Sequence, residues 1–302
     1  MKSERIAVNY KKNKALYWMI LPVLIYVLIF NYLPMFGLTM AFENYSISGG
    51  IFGSKWIWFK NFTDFFQGLY FQRTLTNTLL ISLYTLLFAF PAPIVFALML
   101  NEVRHSGFKK VVQTVSYMPH FISMIVVVGL INEFTNSNGV IASIVAAMGG
   151  TPHSYASDPS SFRTVFVVSE IWQEIGFNSI IYLSALSGVS EELYEAAEID
   201  GAGRIAQLFH VTLPGIASTI IIMFILRCGA LMTVNFEKIL LLYSPATYET
   251  ADVIQTYVYR IGIIKQKIGF STAVGLFNSV VGLTFIVLAN NLSRKYTEVS
   301  MF

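Results

Sequence analysis

The feature that most constrains this chain is a succession of long apolar runs, the first uncharged over residues 15–42 and the last uncharged over 268–293. A helix rises about 1.5 Å per residue and a bilayer core is about 30 Å thick, so roughly 20 apolar residues cross it. Runs at 15–42, 74–101, 117–134, 162–189, 214–241 and 268–293 are of that order and predict six transmembrane helices. With 55% hydrophobic and 12% charged residues, the chain carries more apolar side chain than one soluble core could hide. The expected fold class is therefore all-α integral membrane. Pro22, Pro34, Pro91 and Pro93 bend these helices without ending them, because neighbouring helices can satisfy the freed carbonyls.

The formal charge of +3 is small, and the basic residues sit at the ends of apolar runs instead of forming a stripe for phosphates, so no nucleic-acid partner is expected. The single cysteine, Cys228, excludes an intrachain disulfide and a Cys-based zinc site, and no metal centre is expected. Its place in an apolar run reads as small buried filler. A basic start (Lys2, Arg5, Lys11, Lys12, Lys14) before an apolar run resembles a signal peptide, but the run is too long and no small-x-small site closes it. That basic cluster, with Arg104, Lys109 and Lys110 after the second run and Arg204 after the fourth, places both termini and the 190–214 stretch in the cytoplasm. Residues 104–116 read as an interfacial helix. The expected organisation is a cytoplasmic tail at 1–14, a first helix and aromatic outer segment at 15–72, a five-helix domain at 73–294 and a second tail at 295–302.

Residues 43–72 are dense in aromatics, including Trp56, Trp58, Phe59, Phe62, Phe65 and Phe66. An interfacial aromatic belt and a platform for stacking sugar rings are both open readings. Residues 243–260 are polar enough to meet a soluble partner. In the last run Ser271, Gly275 and Ser279 recur every four positions, a face for close helix packing.

Nucleotide chemistry has no foothold, since no GxxxxGK[ST] loop is present, and HExxH and GxSxG are missing too. Gly201, Gly203 and Ala206 match GxGxxA, but an acidic helical segment precedes them where the dinucleotide fingerprint needs a strand. No catalytic residue and no bound cofactor are expected.

The longest polar island is SEELYEAAEIDGAGRIAQLFHVTLP, residues 190–214. Ser190 is a good N-cap, Glu191 and Glu192 suit the positive end of a helix dipole, and alanines carry the helix to Asp200. Gly201 permits a turn, and 204–211 presents Ile205, Leu208 and Phe209 on one side before Pro214 opens the next helix. This stretch resembles the EAA signature of binding-protein-dependent ABC importer permeases, with Glu195, Ala196, Ala197, Asp200, Gly201, Ala202, Phe209, Leu213 and Pro214 in place. The preceding WQEIGFNSIIYLSALSGVSEELYEAA is similar to the carbohydrate-importer branch that includes the maltose permeases. LPVLIYVLIFNYLPMFGLTMAFENY and ADVIQTYVYR look like permeases for complex oligosaccharides, and the likeness covers nearly the whole chain.

The resemblance implies a six-helix type-1 ABC importer permease whose EAA loop is a coupling helix docked in a cytoplasmic ATPase. It implies a second, homologous permease, two copies of that ATPase, an extracellular solute-binding lipoprotein and an oligosaccharide cargo, in a bacterial plasma membrane. ATP and Mg would be bound by the ATPase and not by this chain. Glu195 and Gly201 are assigned to the ATPase contact by resemblance, and small residues at a joint allow close backbone approach.

Charges inside a membrane helix cost roughly 2.5–3.5 kcal/mol each on insertion scales, which makes Glu133, Glu170, Glu174 and Arg227 functional candidates. Counting about 1.5 Å per residue from the cytoplasmic ends places Glu174 and Arg227 level, so they are expected to pair, with Glu170 one turn further out. A pair locking two helices and a polar wall for sugar hydroxyls or a uronate are both open, and Trp172, Gln173, Asn178 and Asn235 could serve either. A lone secondary transporter with an ion relay through these charges is the chief rival, and a membrane-bound glycan enzyme using Glu170 and Glu174 is a third. The chain purified alone into liposomes is expected to move no sugar; uptake under an ion gradient without any ATPase would favour the relay.

Overall fold

The computed structural model describes residues 13–297 and 299–301. The basic cluster at Lys2, Arg5, Lys11 and Lys12 lies outside them. Among the described residues four helical stretches are long and apolar enough to cross a membrane: Lys14–Phe42, Phe71–Glu102, Met124–Ala147 and Ile268–Thr297. A fifth exists if Arg204–Gly215 and Ala217–Gly229, bent by 61°, count as one span. The helix expected as the fourth span, Phe162–Leu186, is 25 residues and about 37 Å long. It is too polar to pass on composition alone, because Arg163, Glu170 and Glu174 lie within it.

The first helix, α1 (Lys14–Val27), buries none of its own residues. It loosens into a π turn at Leu28–Tyr32 and tightens into a 3-10 helix at Leu33–Phe42, each variation within two residues of a proline or glycine. A two-stranded ribbon, Glu43–Asn44 against Lys55–Trp56, is a small departure from the all-α expectation. In the aromatic segment Phe65 is buried against Phe71, Tyr257, Phe270 and Phe277, while Trp56, Trp58 and Phe59 are exposed.

The second span joins α2 (Phe71–Tyr84) through a π turn to α3 (Pro91–Glu102). Its pattern is inverted relative to a soluble helix: Thr74, Asn77, Thr78, Ser82 and Thr85 recur at helical spacing and are all buried, while Leu79, Leu83, Leu87 and Phe88 face outward. In lipid a polar group must find its partner inside the protein, so the polar stripe turns inward.

The third expected helix, 117–134, is displaced. A helix α4 (Ser106–Tyr117) covers the expected interfacial segment, Met118–Phe121 is a 3-10 turn beginning Met-Pro, and α5 (Met124–Thr135) starts after a break. Met118 keeps helical dihedrals, but Pro119 has no N–H to continue the α-helical ladder, and the chain passes into the 3-10 turn there. Then comes α6 (Phe162–Leu186), within three residues of expectation. The polar island holds α7 (Glu191–Ile199), followed by short turns to Gly215.

The fifth run does not form one helix over 214–241. It gives α8 (Ala217–Gly229), an irregular break at 230–235, and α9 (Phe236–Leu242). Pro214 lies before the bend and does not open the membrane helix. Ser82 donates to the Leu231 carbonyl freed by the break. Past a short helix, α10 (Ile254–Tyr259) precedes the long α11 (Ile268–Thr297). The close packing expected at Ser271, Gly275 and Ser279 is found at Ser271, whose Cβ a Cβ on Gly262 would meet at 2.8 Å, and again beyond Ser279: a Cβ on Gly229 would meet Ile286 Cδ1 at 2.9 Å, and one on Gly282 the Gly229 carbonyl at 3.3 Å. Gly275 has nothing within 4 Å.

The N-terminal ends of α2 and α6 are tied to the 243–260 segment by Asp252, which is fully buried. Its carboxylate accepts from Arg73 at 2.8 Å, Arg260 at 2.7 and 3.0 Å, and Thr256 Oγ1 at 2.9 Å. Burial depresses the Arg260 guanidinium, but hydrogen bonding and charge from Asp252 outweigh it and hold the group above its ordinary range. Arg163 on α6 donates to Asn77 Oδ1 at 2.7 Å, and Asn77 donates to the Asp252 carbonyl at 3.1 Å. The segment expected to meet a soluble partner is therefore clamped to the membrane helices on its inner side. Removing one member of a buried ion network costs about 3–5 kcal/mol. Asp252→Asn should accordingly lower the melting midpoint in detergent by several degrees, and an unchanged midpoint would remove this network from the fold's stability.

Candidate functional site

The sequence-predicted residues fall into three places, and α6 carries most of them because its period of 3.6 aims successive side chains at different neighbours. Glu170, Glu174 and Asn178 follow one another at four-residue spacing along one stripe. With Arg227 and Ala230 from the end of α8, and Phe90 and Pro93 from the second span, they line a cleft of about 260 Å³.

Glu174 and Arg227 share this cleft but do not pair. Glu174 Oε2 lies 2.9 Å from His120 Nδ1 on the 3-10 turn, and that imidazole stacks on Phe177 at 3.8 Å with an interplanar angle of 2°. The reckoning from Pro214 assumed a straight fifth helix, and the 61° bend invalidates it. Among the described residues Arg227 has no carboxylate within 4 Å, so its charge faces the cleft uncompensated by an ion pair.

Behind the cleft lies a buried network that sequence reasoning missed. Lys238, which is not among the charged candidates, is fully buried. Its ammonium is 3.4 Å from Glu170 Oε2 and 3.4 Å from Gln173 Oε1, and 5.5 Å from the Phe166 ring centre. Asn235 donates to Glu170 at 3.4 Å and accepts the Lys238 backbone N–H at 3.3 Å, which caps α9. A usable signal existed, since a single lysine before the run ILLL cannot stay in lipid unpaired. His120 had a weaker one, its position after Pro119.

Trp172 points elsewhere. It is 43% exposed and lines an apolar groove of about 610 Å³ with Leu130, Ile131 and Phe134, on the opposite side of α6. Glu133 is exposed near the end of α5 and joins neither group. Cys228 is buried. Among the described residues no cluster of three His, Cys, Asp or Glu is placed to hold a metal ion.

The second candidate site is the polar island. Ser190 Oγ accepts the Glu192 N–H at 3.3 Å, with Glu191 and Glu192 in the first turn of α7. Gly201 takes φ +81°, a left-handed conformation that favours glycine, and the Ala202 N–H closes the turn on the Ala197 carbonyl at 2.8 Å. A helix, not a strand, precedes this glycine, so the GxGxxA match has no dinucleotide geometry. The island is stapled back by Tyr194 OH to Thr212 Oγ1 at 3.0 Å and by Gln207 to the Ala202 carbonyl at 3.3 Å. Glu195, Ala196, Asp200, Phe209 and Pro214 are exposed, and Ala197 and Leu213 half-buried. Leu193, Ile199, Ile205 and Phe209 leave a run of apolar side chains uncovered, Ile199 by 87%.

Comparison with known proteins agrees with this architecture. Residues 89–298 match the family described as binding-protein-dependent transport system inner membrane component. The chain is 44% identical over 293 residues to protein LplB of Bacillus subtilis (strain 168), covering 97% of this chain and 92% of LplB. It is 41% identical over 302 residues to the polygalacturonan/rhamnogalacturonan transport system permease protein YteP of the same organism, covering 100% and 94%. A solved bacterial alginate ABC transporter, in complex with an alginate pentasaccharide-bound periplasmic protein, contains a chain 42% identical with a TM-score of 0.90, over 98% of this chain and 100% of that one. Family, fold and length coincide, and the chain belongs to the binding-protein-dependent transport system inner membrane components.

Proposed function

We propose that this chain is the permease subunit of an ATP-driven importer of oligosaccharides bearing carboxylates, and that Arg227 receives the acidic sugar in the cleft beside α6. The observation that carries this is the charge balance of the cleft. Glu170 is engaged by Lys238 and Glu174 by His120, while Arg227 has no ion-pair partner among the described residues. A half-buried guanidinium without a counter-ion favours an anionic ligand, and a planar carboxylate matches its fork. The names of YteP and of the alginate transporter, both concerned with acidic polysaccharides, support the same class.

The finer arrangement follows from the same reading. Six spans cross the membrane, with α6 as a polar span shielded by its neighbours and the fifth span bent and broken around the cleft. The face of α1, which buries nothing in its own chain, is covered by lipid and by a second, homologous permease. Both termini and the 190–214 island lie in the cytoplasm, where α7 acts as the coupling helix. Its exposed apolar residues and the carboxylate of Glu195 meet one of two ATPase subunits, which bind ATP and Mg. An extracellular solute-binding protein delivers the cargo, and ATP hydrolysis drives alternating access.

Two substitutions test this in the complete importer reconstituted with its ATPase and binding protein. Arg227→Gln should cut uptake of trigalacturonate at least tenfold, and uptake equal to wild type would discard the carboxylate role. Gly201→Asp forces a side chain onto a left-handed backbone at the turn and should abolish transport and uncouple ATP hydrolysis while the protein stays in the membrane. Normal coupled uptake in that variant would refute the coupling assignment.

A further inference from the structure

We infer that a second cavity, between α10 and the outer half of α11, binds the neutral, hydroxyl-bearing face of a sugar unit adjoining the one held by Arg227; this rests on the oligosaccharide reading above. The cavity holds about 440 Å³, and Thr233, Phe236, Gln255, Tyr259, Asn278 and Ser279 contribute to its wall. That volume lies within the usual range of small-molecule sites.

Its polar groups are incomplete in a specific way. Asn278 is only 6% exposed, and among the described residues its Oδ1 has no hydrogen-bond partner; neither has Oε1 of Gln255 on the facing element. Buried amides are normally satisfied, so two unsatisfied ones on one cavity point to a missing ligand. The neighbouring hydroxyls have spent their donors on nearby backbone carbonyls: Thr233 on the Ala230 carbonyl at 3.1 Å, Ser271 on Ile268 at 2.9 Å and Ser279 on Gly275 at 3.0 Å. What they offer inward is lone pairs.

A ligand here must donate to those oxygens and to an amide oxygen, and accept from an amide NH₂. A hydroxyl does both. Among the described residues no charged side chain lines the cavity, so a carboxylate or an amine would enter uncompensated. Phe236 and Tyr259, with ring centres 5.8 Å apart, add an apolar surface for the C–H face of a pyranose. Open space at Gly275, where a packed helix would leave none, keeps the cavity from closing.

The two cavities flank the same break in the fifth span. Ala230 lines the Arg227 cleft and Thr233 lines this cavity. Three residues of chain span at most about 11 Å, so one short saccharide can engage both.

The test uses the complete importer in proteoliposomes, with trigalacturonate and a rhamnogalacturonan tetrasaccharide as probes and saccharide-stimulated ATP turnover as readout. Asn278→Leu keeps the volume and removes the amide, and it should raise the KM for the tetrasaccharide about tenfold, with partial recovery in Asn278→Gln. If Asn278→Leu fails to assemble, Gln255→Leu, at the half-buried side, carries the same expectation. An unchanged KM in an assembled variant overturns the inference. Loss of the second permease from both variants also overturns it, because the cavity is then a seat for that subunit. A wild-type importer stimulated by neither saccharide sinks the oligosaccharide reading and this inference together, whereas stimulation of wild type and variants alike sinks this inference alone.

Discussion

The Lys238 ammonium, with no access to solvent, sits against Glu170 in the interior of the bundle, and much of the architecture follows from that contact. Neither charge could remain there alone, since an isolated ion in a medium of low dielectric costs several kcal/mol after relaxation. The pair therefore pins α9 to the middle of α6. Pinning α9 prevents the fifth span from continuing straight past Gly229, so the chain breaks at 230–235 and must satisfy the carbonyls that the break releases. Ser82 donates to the Leu231 carbonyl on one side, and on the other the Asn235 Oδ1 accepts the Lys238 N–H freed at the start of α9. The cleft beside Arg227 is the space that the break leaves open.

A second consequence concerns where polarity is allowed. The inward stripe of α2 and the Asp252 network show one rule at two depths: polar groups are tolerated where protein supplies every partner. Buried ion pairs of this kind contribute little net stability compared with apolar residues of the same volume, but they penalise every alternative helix register that separates them. The outward surfaces of α1 to α3 are almost wholly apolar, as a surface meeting lipid or another apolar subunit has to be.

The 190–214 island depends on different physics. It has no buried side chain in α7 and is held by a cap, a left-handed glycine turn and two side-chain staples. Such a device keeps its shape while exposing nearly all of its surface, as the coupling role proposed for it requires. Through Leu186 and Ile216, both buried in one cluster with Tyr182, it connects directly to the end of α6 that carries the cleft.

The sequence by itself determined what depends on local pattern. Run length predicted the first and last spans and α6 to within a few residues, and the capping and turn chemistry of Ser190 and Gly201 placed α7 and its end. Composition marked a membrane chain, and the resemblance of 190–214 to the EAA signature pointed to the family that residues 89–298 match. The expected six runs correspond to four helical stretches among the described residues that are long and apolar enough to span, or five with the bent pair, because α6 is too polar to qualify on composition and the third helix is displaced past Pro119. The tertiary structure alone decided which charges meet. Glu174 turned to His120 and Glu170 to Lys238, because a 61° bend and a six-residue break re-aimed the fifth span. Periodicity gives the face on which a side chain lies along its own helix, but the partner across the gap is set by how helices bend and cross. Long-range electrostatics then selects among the partners that the packing brings within reach.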